Sequence, residues 1–490
     1  MNFLPVSDPA DARLRDESRF AGSALAAADA RSEADVADAI AQMRARNLPL
    51  TLQGARTGIT GSAVPDGGLL LSLAPLASIE LLPPDASSPA PRLRAGPGAR
   101  LADLRAACPP GWFFPVDPTE PTASLGGMLS CNASGSRSFL YGPVRPHVAA
   151  LRVLLPDGTP LDLRRGQPAE TVFGAPLPPV PRPPAVKNAT AYHSVPGMDA
   201  LDLFIGAEGT LGAIVEATLA LSPLPPVVNT LFLYVRDADA LAAADLLRPY
   251  RRGIPGVPSA RLAALEYFDA ASLDFLASRA VPFPTASRPP DTAALDLTFE
   301  APSPSDAADA AAALLDLLAP CGADPDTAVW ADSPSAAERL RAFRHALPES
   351  VNDAIATARR ACPAVHKCAA DSAVPAAFLP AHLAACRAEA ADAGIPLLLF
   401  GHLGDAHVHA NLLPSSPSTL AAAQSLLRRW AARAVANGGS LSAEHGIGKL
   451  KAPLFAELAP PETLAACRAL KTRFDPPWLL NRGTLLLPPA

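Results

Sequence analysis

Residues 49–73 read PLTLQGARTGITGSAVPDGGLLLSL. Both ends are short apolar runs of strand character, and between them stand Gly54, Gly58 and Gly61 with the hydroxyls of Thr57, Thr60 and Ser62. Glycine allows the φ values and close approach that let several backbone N–H groups converge on one anion, so a diphosphate is the natural guest of such a loop. The spacing G-x-x-x-G-x-x-G is not the dinucleotide fingerprint G-x-G-x-x-G, and no G-K-[ST] follows to make a mononucleotide P-loop. Taken alone, the stretch reads equally well as a tight glycine-rich turn.

A second cluster shifts that balance. DPTEPTASLGGMLSCNASGSRSFLYGPVR (117–145) again combines Gly126, Gly127 and Gly135 with Ser124, Asn132 and Ser134, and two phosphate-grade loops point to one large cofactor. Around them the chain alternates helix and strand. SEADVADAIAQMRARN (32–47) has helical spacing, PRLRAGPGARLADLRAAC (91–108) reads as strand, turn and helix, and VAALRVLLPDGTPLDL (148–163) as a hairpin turning at Pro156-Asp157-Gly158. The proline-rich FGAPLPPVPRPPAVKNA (173–189) is expected to be an extended surface loop, and the prolines at 223–226 to end the first unit. Beyond them two strand-then-helix passages, 229–250 and 293–322, predict an antiparallel sheet covered by helices, the second helix capped by Ser or Asp. The expected organisation is α+β throughout: residues 1–225 as a first domain, 226–445 as a cap, and 446–490 returning to the first.

The 490 residues, 49% apolar, can bury more than one core. A net charge of −6 without a basic run argues against nucleic acid as a partner. Seven scattered cysteines without a C-x-x-C pair suit a reducing compartment and exclude an iron–sulfur run. No apolar stretch approaches a bilayer span, and the N-terminus lacks a secretory signal, so the cytoplasm is expected, with any membrane association peripheral and at the inner face.

Three of the nine histidines fall within FGHLGDAHVH (400–409): His402, His407 and His409. In a strand, residues 407 and 409 point to one face, and neutral imidazoles there suit a divalent cation such as zinc or manganese, given a further ligand. Glu444, 35 residues beyond His409 in LSAEHGIGK and followed by His445, offers one. Any single one of these histidines is more simply a hydrogen-bonded core residue. The cluster together with Glu444 favours metal.

With LFIGAEGTLGAIVEATL (203–219), GGSLSAEHGIGKLK (438–451) and FDPPWLLNRG (474–483), these motifs resemble, in order and over nearly the whole chain, the FAD-linked oxidases of the vanillyl-alcohol oxidase (PCMH-type) superfamily. The nearest branch in pattern is that of the D-2-hydroxyacid dehydrogenases, which includes D-lactate and D-2-hydroxyglutarate dehydrogenases and the glycolate oxidase FAD subunit. The resemblance implies a two-lobed FAD-binding domain with an antiparallel-sheet cap. It places Gln53, Gly54, Ala55, Arg56, Thr57, Gly58, Ile59, Thr60, Gly61 and Ser62 around the FAD pyrophosphate, and Ser124, Gly127, Asn132, Ser134 and Gly135 along the flavin and ribityl chain. Gly209, Gly212 and Ile214 would meet the adenine end and Asn481 the flavin. Covalent relatives carry a histidine in the first loop, where this chain has Arg56-Thr57, so FAD is expected to be noncovalent.

Similarity to the family motifs G-H-x-G-D-G-N-x-H and E-H-G further implies His402, His409 and Glu444 as ligands of a divalent metal and His445 as catalytic base. Arg344, in RAFRHALPESVND (341–353), matches an arginine that clamps the substrate carboxylate, with Lys367 a second candidate for that anion. Where the family has G-D-G-N, this chain has Gly404-Asp405-Ala406-His407. The asparagine that helps hold substrate is absent, and His407 is the candidate to replace it. The implied reaction is oxidation of a small D-2-hydroxyacid, D-lactate first and glycolate or D-2-hydroxyglutarate next, by hydride transfer to flavin N5. A quinone, a cytochrome, an electron-transfer flavoprotein or an iron–sulfur subunit would take the electrons. A homodimer, a non-redox flavoenzyme like alkylglycerone-phosphate synthase and a non-catalytic flavin subunit stay open.

Overall fold

In the computed structural model, which describes residues 1–85, 88–183, 186–285, 287–331 and 333–489, the chain adopts the α+β architecture expected. Helix α1 (Glu33–Arg46) starts where Ser32 accepts the N–H of Asp35 and stops where Asn47 turns left-handed at φ 49°. It buries Val36, Ala39, Ile40 and Met43, one face at helical spacing. These residues share a core with strands β1 (Ala26–Asp29), β2 (Leu50–Gln53) and β3 (Leu69–Ser72). Both β1 and β2 run parallel to β3, with Ala26 and Leu50 each opposite Leu69. Parallel neighbours cannot be joined by a tight hairpin, so residues 54–68 must travel back along the sheet before β3 can begin. That return is the first glycine loop.

A second sheet is antiparallel, in the order β4 (Ile79–Leu82), β5 (Arg92–Ala95), β8 (Ala213–Ala220), β6 (Val148–Leu154) and β7 (Pro160–Arg164). The β6–β7 hairpin turns as predicted, with Gly158 at φ 90° donating to Leu155 O at 2.8 Å. Leu93, Leu151 and Leu219 of this sheet meet α2 (Leu101–Ala106) and α3 (Leu125–Cys131) in one core.

The cap is a seven-stranded, wholly antiparallel sheet: β12 (Val329–Ala331), β9 (Val227–Arg236), β11 (Thr292–Ala301), β10 (Arg261–Phe268), β14 (Leu397–Gly401), β15 (His409–Leu412) and β13 (Cys368–Ala370). Alternation along β9 divides two cores. Leu231, Leu233 and Val235 face α4 (Ala240–Leu247) and α6 (Pro304–Leu318), whereas Phe232 and Tyr234 face α5 (Ala270–Ser278) and α7 (Pro334–Ala361). As expected, Ser303 caps α6. Helices α8 (Leu379–Asp392) and α9 (Pro417–Ala436) close the first of these cores.

Residues from α10 (Ala452–Leu458) and α11 (Pro461–Phe474), among them Phe455, Cys467 and Phe474, join the core of the second sheet. The tail then returns beside β2, Leu50 N–H donating to Leu479 O and Asn481 N–H to Leu50 O. Two sequence expectations need correction. The strand expected to hold both His407 and His409 begins only at His409, because residues 402–407 close into a tight turn. The proline-rich stretch is extended but not confined to the surface: Val180 enters the core and Lys187 is carried inward. Its residues 184 and 185 lie outside the described part of the structure.

Lys471, 3% exposed, holds the tail by donating to Thr210 O, Leu480 O and Asp475 Oδ2 at 2.7, 2.8 and 2.6 Å. Lys471→Met strands the Asp475 charge, which is fully buried, and should cost about 3–5 kcal/mol in urea unfolding followed by tryptophan fluorescence. Adding Asp475→Asn should recover part of that loss.

Candidate functional site

The two glycine loops meet across a cleft of about 320 Å³. They approach closely, a Cβ on Gly54 standing 2.3 Å from Ser124 Oγ, and the second loop is tight within itself, where a Cβ on Gly135 would stand only 1.6 Å from Asp117 O. Ser124, at the start of α3, spends its hydroxyl on the N–H of Ala55 at 3.1 Å and so ties one loop to the other. Arg56 turns left-handed at φ 63° to carry the first loop past this contact. Among the described residues, no acceptor within the chain takes the backbone N–H groups of Thr57, Gly58, Ile59 or Thr60. Such unpaired donors beside a cleft are what a bound anion requires.

Of the residues expected to hold cofactor, Gln53, Gly54, Ala55, Arg56, Thr57, Gly58, Ile59, Thr60 and Ser62 line this cleft, as do Ser124, Gly127, Ser134, Gly135, Gly209, Gly212, Ile214 and Asn481. Gly61 and Asn132 are not part of the lining. Asn132 instead ends α3 in the left-handed region and accepts the N–H of Arg145 at 3.2 Å. The Asn481 side chain is committed to the backbone, accepting from Leu52 N–H and donating to Glu208 O, both at 2.8 Å. Its place at the cleft is that of a brace.

His402, Glu444 and His445 line the same cleft. Behind them the turn after β14 closes on the carbonyl of His402, which accepts the N–H groups of Asp405 and His407 at 3.1 Å each. This closure sets His407 beside His402 and His409, with ring centroids 5.8 and 4.4 Å away. One ligand atom from each of His402, His407, His409 and Glu444 lies within 4.8 Å of the others. His402 Nε2 is 3.3 Å from Glu444 Oε1 and His409 Nε2 is 3.7 Å from Oε2.

An outer layer of charge holds this cluster. Glu266 accepts from His402 Nδ1 at 2.7 Å, and although burial opposes its charge, Arg344 and His402 hold its carboxyl down at about 2. Burial would lower the pKa of His402, but Glu266 and Glu444 bring it up to about 9. Burial and the neighbouring imidazoles keep His409 well below the usual histidine range, hence neutral. Glu444 is held ionised against burial by His402 and by Lys187, whose ammonium contacts Glu444 Oε1 and lies 3.2 Å from Asp405 Oδ2. His445 turns Nδ1 to Asp371 Oδ2 at 3.1 Å and stacks on His409. Arg344 reaches Ser136 Oγ at 3.1 Å and Glu266 Oε2 at 3.4 Å from a helix in which Pro348 has no N–H for the Arg344 carbonyl. Lys367 is exposed and donates to Asn352 Oδ1 at 3.2 Å, with no described contact to the cluster.

Sequence reasoning missed four members of this arrangement: Lys187, Glu208, Glu266 and Asp371. Asp371 accepts from Ser442 Oγ, His445 N–H and Lys451 Nζ at 2.6, 3.1 and 2.8 Å. Glu208, a non-glycine residue at φ 51°, accepts from Ser62 Oγ, Ile447 N–H and Gly448 N–H at 2.6, 2.8 and 2.8 Å. For Glu208 the available signal was an acid inside a motif already singled out, and for Asp371 an acid four residues beyond Lys367 in HKCAADSAVP (366–375); Glu266 and Lys187 carried none.

Comparison with known proteins gives this geometry a context. Residues 236–485 match the family model for FAD linked oxidases, C-terminal domain, and residues 24–164 match that for the FAD binding domain. The chain is 30% identical to a D-2-hydroxyglutarate dehydrogenase of Xanthomonas citri pv. viticola, over 95% of this chain and 90% of that one. It is 29% identical to a D-lactate dehydrogenase of Anaerostipes hadrus (93% and 88% covered) and 29% identical to glycolate oxidase subunit GlcD of Escherichia coli (89% and 78%). An alkyldihydroxyacetonephosphate synthase structure shares the fold, with a TM-score of 0.63 at 16% identity over 94% of this chain and 76% of that one.

Gly54→Ala should displace the Ser124 hydroxyl and break its tie to the Ala55 N–H, loosening the join between the two loops. We expect purified protein with far less flavin absorbance per chain, little change in far-ultraviolet circular dichroism, and flavin weakly restored by added FAD; wild-type flavin content would show that the loops can part without cost.

Proposed function

The chain belongs to the FAD-linked oxidase family, and from that premise we propose that it is an FAD- and divalent-metal-dependent dehydrogenase. Its substrate is a D-2-hydroxyacid, D-lactate first and glycolate or D-2-hydroxyglutarate next. In this reading residues 1–225 bind FAD noncovalently, 226–445 carry the substrate site, and 446–490 return to the FAD-binding part. The observation that carries it is the position of His445: held by Asp371, it stands in the cleft that both glycine loops line, beside three imidazoles and a carboxylate.

The donor set fits a divalent cation, since His402 and His409 each aim Nε2 at Glu444, and a carboxylate fixes the far nitrogen of His402. When bound, FAD supplies the two-electron acceptor, and a divalent cation, zinc or manganese, supplies positive charge that makes the substrate hydroxyl more acidic. His445 is then the base. With Nδ1 turned to Asp371 Oδ2, its Nε2 is left free to take the hydroxyl proton, and Asp371 stabilises the imidazolium that results. Arg344, whose Nη1 reaches Ser136 on the second loop, would exchange that hydroxyl for the substrate carboxylate. The electrons leave for an acceptor other than a nicotinamide. Among the described residues no helix is long and apolar enough to cross a membrane, so a membrane quinone would require surface contact.

Anaerobic mixing of the metal-loaded protein with D-lactate, glycolate and D-2-hydroxyglutarate should bleach the flavin with at least one of them; no bleaching with any would sink the proposal. His445→Ala should keep FAD and metal but slow that bleaching by roughly 10²-fold or more. His402→Ala or Glu444→Ala should strip the metal while FAD remains, as read by elemental analysis and the flavin spectrum; unchanged metal content would place the ion elsewhere.

A further inference from the structure

We propose that His407 is a fourth protein ligand of the metal, through Nδ1, so that this chain presents three imidazoles and one carboxylate. The inference rests on the metal reading above and goes beyond the two histidines and one glutamate that the family motifs supply. His407 is 0% exposed, its Nε2 faces Asp371, and among the described residues its Nδ1 has no hydrogen-bond partner. A buried polar atom left so costs about 1–3 kcal/mol, which makes an unpaired imidazole nitrogen in a cluster of ligands a position built for something else.

The direction of the ring identifies what that is. Nε2 lies 3.3 Å from Asp371 Oδ1 and Nδ1 lies 3.9 Å from Glu444 Oε1. His402 repeats the arrangement with the nitrogens exchanged, its Nδ1 at Glu266 and its Nε2 at Glu444. Each ring therefore stands between an outer carboxylate and Glu444, the pattern in which a metal-bound imidazole gives its other N–H to a carboxylate. The four candidate ligand atoms lie within 4.8 Å of one another, so gathering them around a zinc ion, whose tetrahedral ligands sit ~3.4 Å apart, takes side-chain movement on the order of 1 Å. Lys187 keeps Asp405 as a partner when Glu444 turns to the ion.

A substrate role fits His407 less well. It does not line the cleft that His402, Glu444 and His445 do, and the turn that buries it is backed by Asp371. Replacing an amide side chain with a third imidazole instead changes the donor set, favouring zinc, cobalt or iron over manganese and magnesium.

The test uses FAD-loaded protein and reads metal, not turnover. Zinc affinity is measured by competition with a chromophoric chelator for wild type, His407→Asn and, as a control at an exposed histidine, His366→Ala. We expect His407→Asn to keep its flavin spectrum and to bind zinc more weakly by at least the roughly 10–100-fold that loss of an outer-sphere partner costs, with His366→Ala unchanged. Equal zinc affinity in wild type and His407→Asn overturns the inference and leaves the metal site standing. Absence of zinc binding by wild type overturns both. X-ray absorption of zinc-loaded wild type needs no variant: scattering from three imidazoles supports the assignment, and from two overturns it.

Discussion

A carboxylate can stay ionised in the interior only where cations and donors surround it, and Glu444 meets that condition by drawing three distant parts of the chain to one point. His402 comes from the turn after β14, His409 from the start of β15, Lys187 from the proline-rich stretch, and Ser134 of the second glycine loop donates at 2.9 Å. The contact with Ser134 joins the cap to the FAD-binding part at the site itself. The cationic partners come from both halves, His402 from the cap and Lys187 from the proline-rich stretch of the first domain, while Glu444 itself lines the cleft.

Two further carboxylates hold the Glu444 loop in place. Asp371 grips residues 442 and 445 from the cap, while Glu208 grips 447 and 448 from the first domain and reaches Ser62 in the first glycine loop. Backbone N–H groups taken by a fixed carboxylate leave the loop little freedom, and charge-assisted hydrogen bonds are about twice as strong as neutral ones. His445 lies between these grips. Its ring is thus positioned by both halves of the protein, and a displacement of either would move the imidazole relative to the cleft.

Much of this was legible in the sequence, for reasons that differ by element. Strands β2 and β3 showed themselves, though not their parallel direction, because two apolar runs flank a glycine loop, and α1 because its apolar residues recur at helical spacing. The histidine cluster and Glu444 showed through residue type, since few other roles gather imidazoles so closely. Glu266 and Lys187 gave no such sign. Glu266 sits in an apolar strand, paired with Arg344, and Lys187 in a stretch whose prolines describe a loop without saying where it goes. Their roles come from pairing between positions 78 and 257 residues apart, which no local period records. The start of β15 was misread for a related reason: alternation puts residue 407 in one strand with 409, whereas the turn there is fixed by hydrogen bonds to the His402 carbonyl.

That turn has a cost that bears on why it is kept. Ala406 stands at φ 53°, in the left-handed region where a Cβ costs about 1–2 kcal/mol, and it occupies the place of a glycine in the motif the chain resembles. The backbone therefore follows a glycine path without the glycine. Relaxing Ala406 would release the His407 N–H from the His402 carbonyl, and with it the arrangement that keeps the two imidazoles side by side. The hydrogen bonds of Asp405 and His407 to that one carbonyl, together with the buried contacts of His407 with Asp371 and His409, offset the strain. Strained backbone persists where its surroundings over-determine it. Here the surroundings are the cluster itself, so the conformation of Ala406 and the position of His407 form one structural feature, and the two departures from the motif at 406 and 407 belong together.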